Sequence, residues 1–221
     1  MSKKSRGKLV VFEGIDGSGK TTICNLFINF LKQRKIAFYH YSFPRYDKSW
    51  GKMVRRYLDG EFGDVGQVSA YLASVLYAGD RFAAANEIRR DLAVGKMVVC
   101  DRYIGSNIAH QTAKMKSQSK RSKFISWVED FEYKQNRIPK EDLVILLSMP
   151  SQISQRLMSK KKKDIHESDG GYLKKVGEVY EQLAMDKTNW VRVESVKRGK
   201  LLKPEEIFEK VLIVLKRYKT L

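Results

Sequence analysis

The chain has 221 residues, 43% of them apolar, which suits one α/β domain with a sizeable core and excludes a disordered chain. Apolar runs stay short of the roughly 18 residues of a membrane span, and MSKKSRGKLVVFEG passes from basic residues straight into a strand-like run, so neither a signal nor a transit peptide is read. With 43 basic against 25 acidic residues the formal charge is +18, a balance that attracts anions but does not tell a polymer of phosphates from a mononucleotide.

In chain order, LVVFE (9–13) predicts the first strand, followed by a glycine-rich turn and a helix over 20–33. IAFYHY (36–41) predicts a second strand and residues 65–94 a long helix. MVVC (97–100) is the third strand, with a helix starting at about 105. LVILLS (143–148) and WVRVE (190–194) complete the strands, and helices are predicted over 153–159, 172–185 and 205–218. The first, third and fourth strands are almost wholly apolar, the pattern of strands covered on both faces. Strand–helix alternation implies a parallel sheet between helices, joined by right-handed crossovers. No repeat or linker divides the chain, so residues 1–221 are expected to form a single domain. The lysine-rich stretches 114–123 and 160–163 look like exposed insertions. Cys24 and Cys100 are too few for a disulfide framework and belong to no metal-type cluster, which fits buried reduced thiols and a cytoplasmic location.

GIDGSGKTT satisfies G-x-x-x-x-G-K-S/T over 14–21, between a strand and a helix as the mechanism of that motif requires. Gly14, Gly17 and Gly19 let successive backbone N–H groups surround a phosphate, and the helix adds its positive end. Ile15, Asp16, Ser18 and Thr22 complete the loop; Lys20 reaches the outer phosphates and the Thr21 hydroxyl suits Mg²⁺. The protein is therefore expected to bind a nucleoside triphosphate. A signalling GTPase is excluded: no N/T-K-x-D guanine reader is present, and DVGQ lacks the required glycine. The third strand ends CDRY, so Asp101 faces the metal and Arg102 suits an additional phosphate. Asp16 would repel the donor's phosphates unless it serves a hydroxyl or a metal-bound water.

Taken together, FEGIDGSGKTT, SFPRYD, YAGDR and DRYIGSNIAHQ resemble, in that order, the motifs of the thymidylate kinases, over nearly the whole chain. The resemblance implies a three-layer phosphate-loop NTPase fold, a five-stranded parallel sheet with helices on both faces and a lid segment at about 151–169. It implies transfer of a phosphoryl group from ATP to dTMP with Mg²⁺, in dTTP biosynthesis, by a homodimer. On the same footing, Asp16 accepts from the deoxyribose 3′-hydroxyl, Phe43, Pro44 and Arg45 line the acceptor site, and Arg102 grips the acceptor phosphate beside Ser106. Tyr77 stacks on thymine while Arg81 and Asn107 read its edge. His110 stands where many relatives keep a tyrosine against the ribose 2′-position. Taken singly, each has a plainer use: Tyr77 in the core, Arg81 on the surface, Asp101–Arg102 as a local ion pair, Pro44 ending a strand, Asn107 starting a helix.

Positions 15–18 read Ile-Asp-Gly-Ser, so the phosphate loop carries no arginine and the lid is expected to supply the catalytic cations. That place holds SQRLMSKKKKDIHESD, in which Ile165 stands where relatives have an arginine. The role therefore falls to Lys160, Lys161, Lys162 and Lys163, with Arg156 in support. Lysine lacks the bidentate fork of arginine, so such a lid holds phosphate less exactly. Arg45 is also displaced by one residue from the usual position. Three rivals stand beside this reading. One is a kinase acting on dUMP or a deoxynucleoside, and another is a nucleic-acid-stimulated phosphate-loop ATPase. The last is a nucleotide-binding regulatory subunit. Neither a membrane nor an obligate nucleic-acid partner is expected.

Overall fold

A computed structural model of the chain describes residues 6–64, 66–158 and 170–221. Five parallel strands, β1 (Leu9–Glu13), β2 (Phe38–Ser42), β3 (Met97–Asp101), β4 (Leu143–Ser148) and β5 (Trp190–Glu194), lie in the order β2-β3-β1-β4-β5. Every residue of β1 and β3 is buried, and so is β4 apart from its last residue, whereas the edge strands β2 and β5 are only partly buried. The all-apolar runs are thus the covered centre of the sheet.

The two faces follow from strand alternation. Leu9 and Val11 point to a core shared with α3 (Ala70–Ala93), α4 (Ile104–Thr112) and α7 (Gly170–Asp186), through Ile88, Ile108 and Val176. Val10 and Phe12 point to the other face, against Phe27 and Leu31 of α1 (Lys20–Gln33) and Val211 and Leu215 of α8 (Pro204–Arg217). From β1 the chain crosses to β2 on one side, and after β3 it returns past β1 to β4 on the other. The switch point of the sheet therefore lies at the carboxyl end of β1, where open α/β sheets bind ligands.

Several boundaries move for identifiable reasons. The long helix starts at Ala70 rather than 65, because the Ser69 hydroxyl accepts from Leu72 N at 3.1 Å and caps it. β2 starts at Phe38, after a turn that puts Lys35 at φ 54°. Two helices are additions: α2 (Ser49–Leu58) and α5 (Gln118–Glu129), the latter continuing into a π-helical segment, Asp130–Gln135. The stretch 114–123 is largely exposed. It starts α5, which buries Phe124 and Val128, and Lys114 is tucked against Tyr57, donating to its hydroxyl at 2.8 Å. A short antiparallel pair, β6 (Val196–Lys197) and β7 (Lys200–Leu201), also stands outside the expected elements. Between α5 and α7 the chain forms α6 (Ser151–Met158).

One buried carboxylate joins these layers. Glu13, at the end of β1, is fully buried; its Oε1 accepts the backbone N–H groups of Tyr103 and Ser106, both at 2.9 Å. Its Oε2 accepts the Ser106 hydroxyl at 2.6 Å and the Tyr180 hydroxyl of α7 at 2.9 Å. Tyr103 offers α4 no side-chain cap, so Glu13 serves as that cap from another element. Glu13→Ala would strand two backbone donors and two hydroxyls in the interior. At about 1–3 kcal/mol for an orphaned group, a loss of roughly 3 kcal/mol or more is expected in urea unfolding, and a loss below about 1 kcal/mol would contradict this role.

Candidate active site

The phosphate loop leaves β1 and enters α1 with Gly19 at φ 84° in the N-cap position and no side-chain cap. The first N–H groups of α1 are thus left to a ligand, and the left-handed backbone at 19 demands glycine. Gly17 is held for a second reason: a Cβ there would lie 2.9 Å from the Ser154 carbonyl and 2.8 Å from Met158 Cγ. The loop and α6 are in contact, and the Ser154 hydroxyl donates to the Asp16 carbonyl. Lys20 is buried, its Nζ 3.4 Å from the Ile15 carbonyl and 3.5 Å from Asp16 Oδ1. Burial and then the Arg102 charge lower its pKa, with Asp16 opposing. Ile15 itself is buried, whereas Thr22 is exposed. The Thr21 hydroxyl donates to Asp101 Oδ2 at 2.6 Å, while Asp101 Oδ1 is buried without a partner among the described residues.

Beside the loop lies a cavity at the carboxyl ends of β1, β2 and β3. Nine of the ten residues expected at the acceptor site line it, from Asp16 and Phe43–Pro44 to Tyr77, Arg81, Arg102, Ser106, Asn107 and His110. The tenth, Arg45, does not: its Nε and Nη2 are spent on the Asp80 carboxylate and carbonyl, at 3.0 and 2.7 Å. The Phe43–Pro44 peptide is cis. Tyr46, Leu58 and Tyr103 complete the lining, Leu58 supplied by α2. Arg102 occupies a left-handed backbone at φ 67°, pinned by Arg102 N donating to the Phe12 carbonyl at 3.0 Å. Such a conformation costs a non-glycine residue on the order of 1 kcal/mol. It aims the guanidinium at Asp16, with which it forms an ion pair, and at the Ser106 hydroxyl 2.9 Å away. Burial opposes the charged form most, but Asp16 together with Tyr180, Glu13 and Asp101 outweighs it and the Arg102 pKa is raised.

The family model described as thymidylate kinase matches residues 12–205. The chain belongs to the thymidylate kinase family. It is 32% identical to a probable thymidylate kinase of Methanocaldococcus jannaschii, over 94% of this chain and 95% of that one. A thymidylate kinase of Plasmodium falciparum is 28% identical over 88% and 85%. The fold matches the solved structure of the Candida albicans thymidylate kinase with a TM-score of 0.77 and 22% identity, covering 97% of this chain and 93% of that one.

Arg81 is buried at 2% exposure, and Glu132, from the π-helical segment, accepts from its Nε at 3.1 and 3.2 Å and from its Nη2. Burial works against the guanidinium, yet the Glu132 carboxylate raises its pKa. Arg156 is exposed on α6, two residues from the serine that touches the phosphate loop. Lys160, Lys161, Lys162 and Lys163 lie outside the described residues. Glu132, Glu13, Asp80 and Tyr180 were not singled out from sequence. The apolar positions Trp50, Met53, Val54, Tyr57 and Leu58 do carry a helical period that announces α2 and its share of the cavity.

His110 adjoins Asp16, with Nε2 3.9 Å from Oδ2, and burial pushes its pKa down to about 3, against a partial opposing pull from Asp16. It is neutral at physiological pH, a hydrogen-bonding ring rather than a cation. Between pH 6.5 and about 3 the unfolded chain binds a proton at this site that the folded chain refuses. Stability therefore falls as pH drops through that window. His110→Gln removes the effect: between pH 7 and pH 5 the variant is expected to lose about 2 kcal/mol less than the parent in urea titrations. Equal losses would show that His110 is not held neutral.

Proposed function

We propose that this chain transfers the γ-phosphoryl group of ATP to dTMP, giving ADP and dTDP. The observation that carries the reading is the Asp16–Arg102 ion pair, which stands where the phosphate loop opens into the acceptor cavity. Each partner is a ready-made contact for one part of a deoxynucleoside monophosphate. Arg102 takes the phosphate, and Asp16 accepts from the sugar hydroxyl next to neutral His110. Until substrate arrives the two satisfy each other, so neither charge waits unpaired in a partly buried site.

At the donor side, Lys20 and the backbone N–H groups from Gly14 to Thr21 hold the outer phosphates of ATP. A second hollow, bordered by Ile15, Gln152 and Arg198 at the ends of β1, β4 and β5, is the place for the donor's base. Thr21 and Asp101 fit Mg²⁺: a hydroxyl and a carboxylate adjoin, and one carboxylate oxygen has no partner among the described residues. Such an ion takes few protein ligands and completes its shell with water and substrate phosphates, so the lack of a cluster of three acidic, histidine or cysteine ligands among the described residues does not oppose it. When bound, it supplies positive charge to the phosphate oxygens.

The acceptor phosphate is already ionised and serves as nucleophile, so no side chain has to remove a proton. What the chain contributes is alignment, worth roughly 7–11 kcal/mol where donor and acceptor are held in line, and cations around the transferring group. Tyr77, Arg81 and Asn107 form the wall for the base, with Phe43, Pro44 and Ser106 beside the sugar and phosphate. Arg156 and the lysines at 160–163 supply further cations. Assembly as a homodimer belongs to this reading on family resemblance alone, and residence in the cytoplasm on the free, buried Cys24 and Cys100.

ADP formation from ATP and Mg²⁺, measured across nucleoside monophosphates with and without DNA, tests the proposal. Turnover with dTMP, unchanged by DNA, is expected; DNA-stimulated hydrolysis without dTMP turnover would sink it. Replacement of Lys160, Lys161, Lys162 and Lys163 by glutamine is expected to lower kcat by about 10²-fold or more, with dTMP affinity within about threefold of the parent. Undiminished kcat would remove these lysines from the mechanism.

A further inference from the structure

The acceptor cavity contains a polar group whose orientation is imposed from behind. Asn107 Nδ2 donates to the Ser74 carbonyl at 3.3 Å and to Glu132 Oε1 at 3.2 Å. Both partners offer only lone pairs. Turning the amide over would press Asn107 Oδ1 against a carbonyl and a carboxylate, so the side chain is held one way round. Its Oδ1 is then left buried on the cavity wall, without a partner among the described residues. An orphaned buried acceptor costs about 1–3 kcal/mol, a cost that a ligand N–H at this point would offset.

The same carboxylate sets the neighbouring group. Glu132 is fully buried and holds Arg81 through Nε and Nη2, leaving Nη1 with only a 3.4 Å contact to the Tyr103 carbonyl. Arg81 therefore brings N–H donors to the wall on which Asn107 presents an acceptor. Glu132 reaches both because the chain leaves α5 through the π-helical segment Asp130–Gln135 and turns this one carboxylate inward, while Lys134 and Gln135 remain exposed. Short π-helical turns are rare and tend to mark functional positions.

We propose that Glu132 is a positioning residue that fixes the reading direction of the acceptor site, holding Arg81 as donor and Asn107 as acceptor so that the pocket takes a base with a C=O/N–H lactam edge. The inference rests on the acceptor-site reading above and deepens it. Thymine and uracil present a carbonyl beside an N–H on that edge. Cytosine presents the inverse pattern, an amine beside a bare ring nitrogen. The discrimination thus originates in a residue that never touches the base.

The test compares binding and turnover of dTMP, dUMP and dCMP by the full chain, for the parent, Glu132→Gln and Glu132→Asp. The parent is expected to bind dTMP and dUMP at least about 100-fold more tightly than dCMP. In E132Q the new amide can donate to Asn107, so only the Ser74 carbonyl, at 3.3 Å, still opposes turning of the Asn107 amide. The dTMP:dCMP preference should then fall by about tenfold or more, chiefly through the affinity and KM for each base. A merely structural role would weaken both nucleotides alike and leave the ratio unmoved. E132Q also strips the buried Arg81 of its counter-charge and risks unfolding. E132D keeps the charge but cannot span both partners; it should fold and lose part of the preference. A parent that binds dCMP as well as dTMP, or folded variants with the parent's ratio, would overturn the inference. Binding that discriminates without dTMP turnover would instead overturn only the proposed reaction.

Discussion

Everything at the candidate site hangs on a single buried carboxylate. Glu13 closes β1 one residue before the phosphate loop and receives four donors from α4 and α7, which are Tyr103 N, Ser106 N, the Ser106 hydroxyl and the Tyr180 hydroxyl. An isolated carboxylate would not survive in such a place, since removing the charge from water costs several kcal/mol. Four donors from two further elements make the burial tolerable, and they make the geometry obligatory. The loop that holds the donor and the helix that carries Ser106, Asn107 and His110 are thereby fixed relative to each other. Alignment of two substrates is most of what phosphoryl transfer asks of a protein.

The same arrangement recurs elsewhere in the fold. Asp80 holds Arg45, Asp91 receives the Lys96 ammonium at 2.9 Å, and Glu132 holds Arg81 and Asn107. Among the described residues the acids buried in this basic chain are Glu13, Asp80, Asp91, Asp101 and Glu132, and they face cations, N–H groups or hydroxyls. The surplus of Lys and Arg is left largely on the surface, where a charge of +18 raises the local concentration of phosphorylated substrates without fixing their pose. Composition alone made nucleic acid a candidate partner. The pairing of the interior charges explains why a large net charge is compatible with a small-molecule site.

Much of the fold was legible in the chain. The bounds of β1, β4, β5 and α1 coincide with their apolar runs and with the glycine-rich turn, because central strands and amphipathic helices write their period directly into sequence. The phosphate loop was legible for a similar reason, since its mechanism depends on residue types at fixed spacing. Glu132 was not. It lies far from Arg81 and Asn107 in sequence, and it faces inward only because the backbone widens to a π-helix, a local geometry with no periodic signature. The partner of Arg45 was hidden for a related reason. The resemblance suggested the acceptor site, and Asp80, from another element, holds its guanidinium beside the cavity. Sequence patterns report what each residue does for its own element, whereas pairings between elements appear only once the chain is folded.

The left-handed backbone of Arg102 has an evolutionary consequence. At most positions the side chain that suits the function also suits the local chain, and drift among similar residues is cheap. At 102 the two demands conflict: the backbone favours glycine, while the ion pair with Asp16 and the proposed hold on an acceptor phosphate require a guanidinium. Selection for turnover must hold an arginine there against its own conformational preference. Lineages or laboratory populations selected only for solubility or heat resistance would feel no such restraint. Residue 102 is therefore a place where an ancestral kinase and a decayed, merely nucleotide-binding descendant would be told apart by one codon.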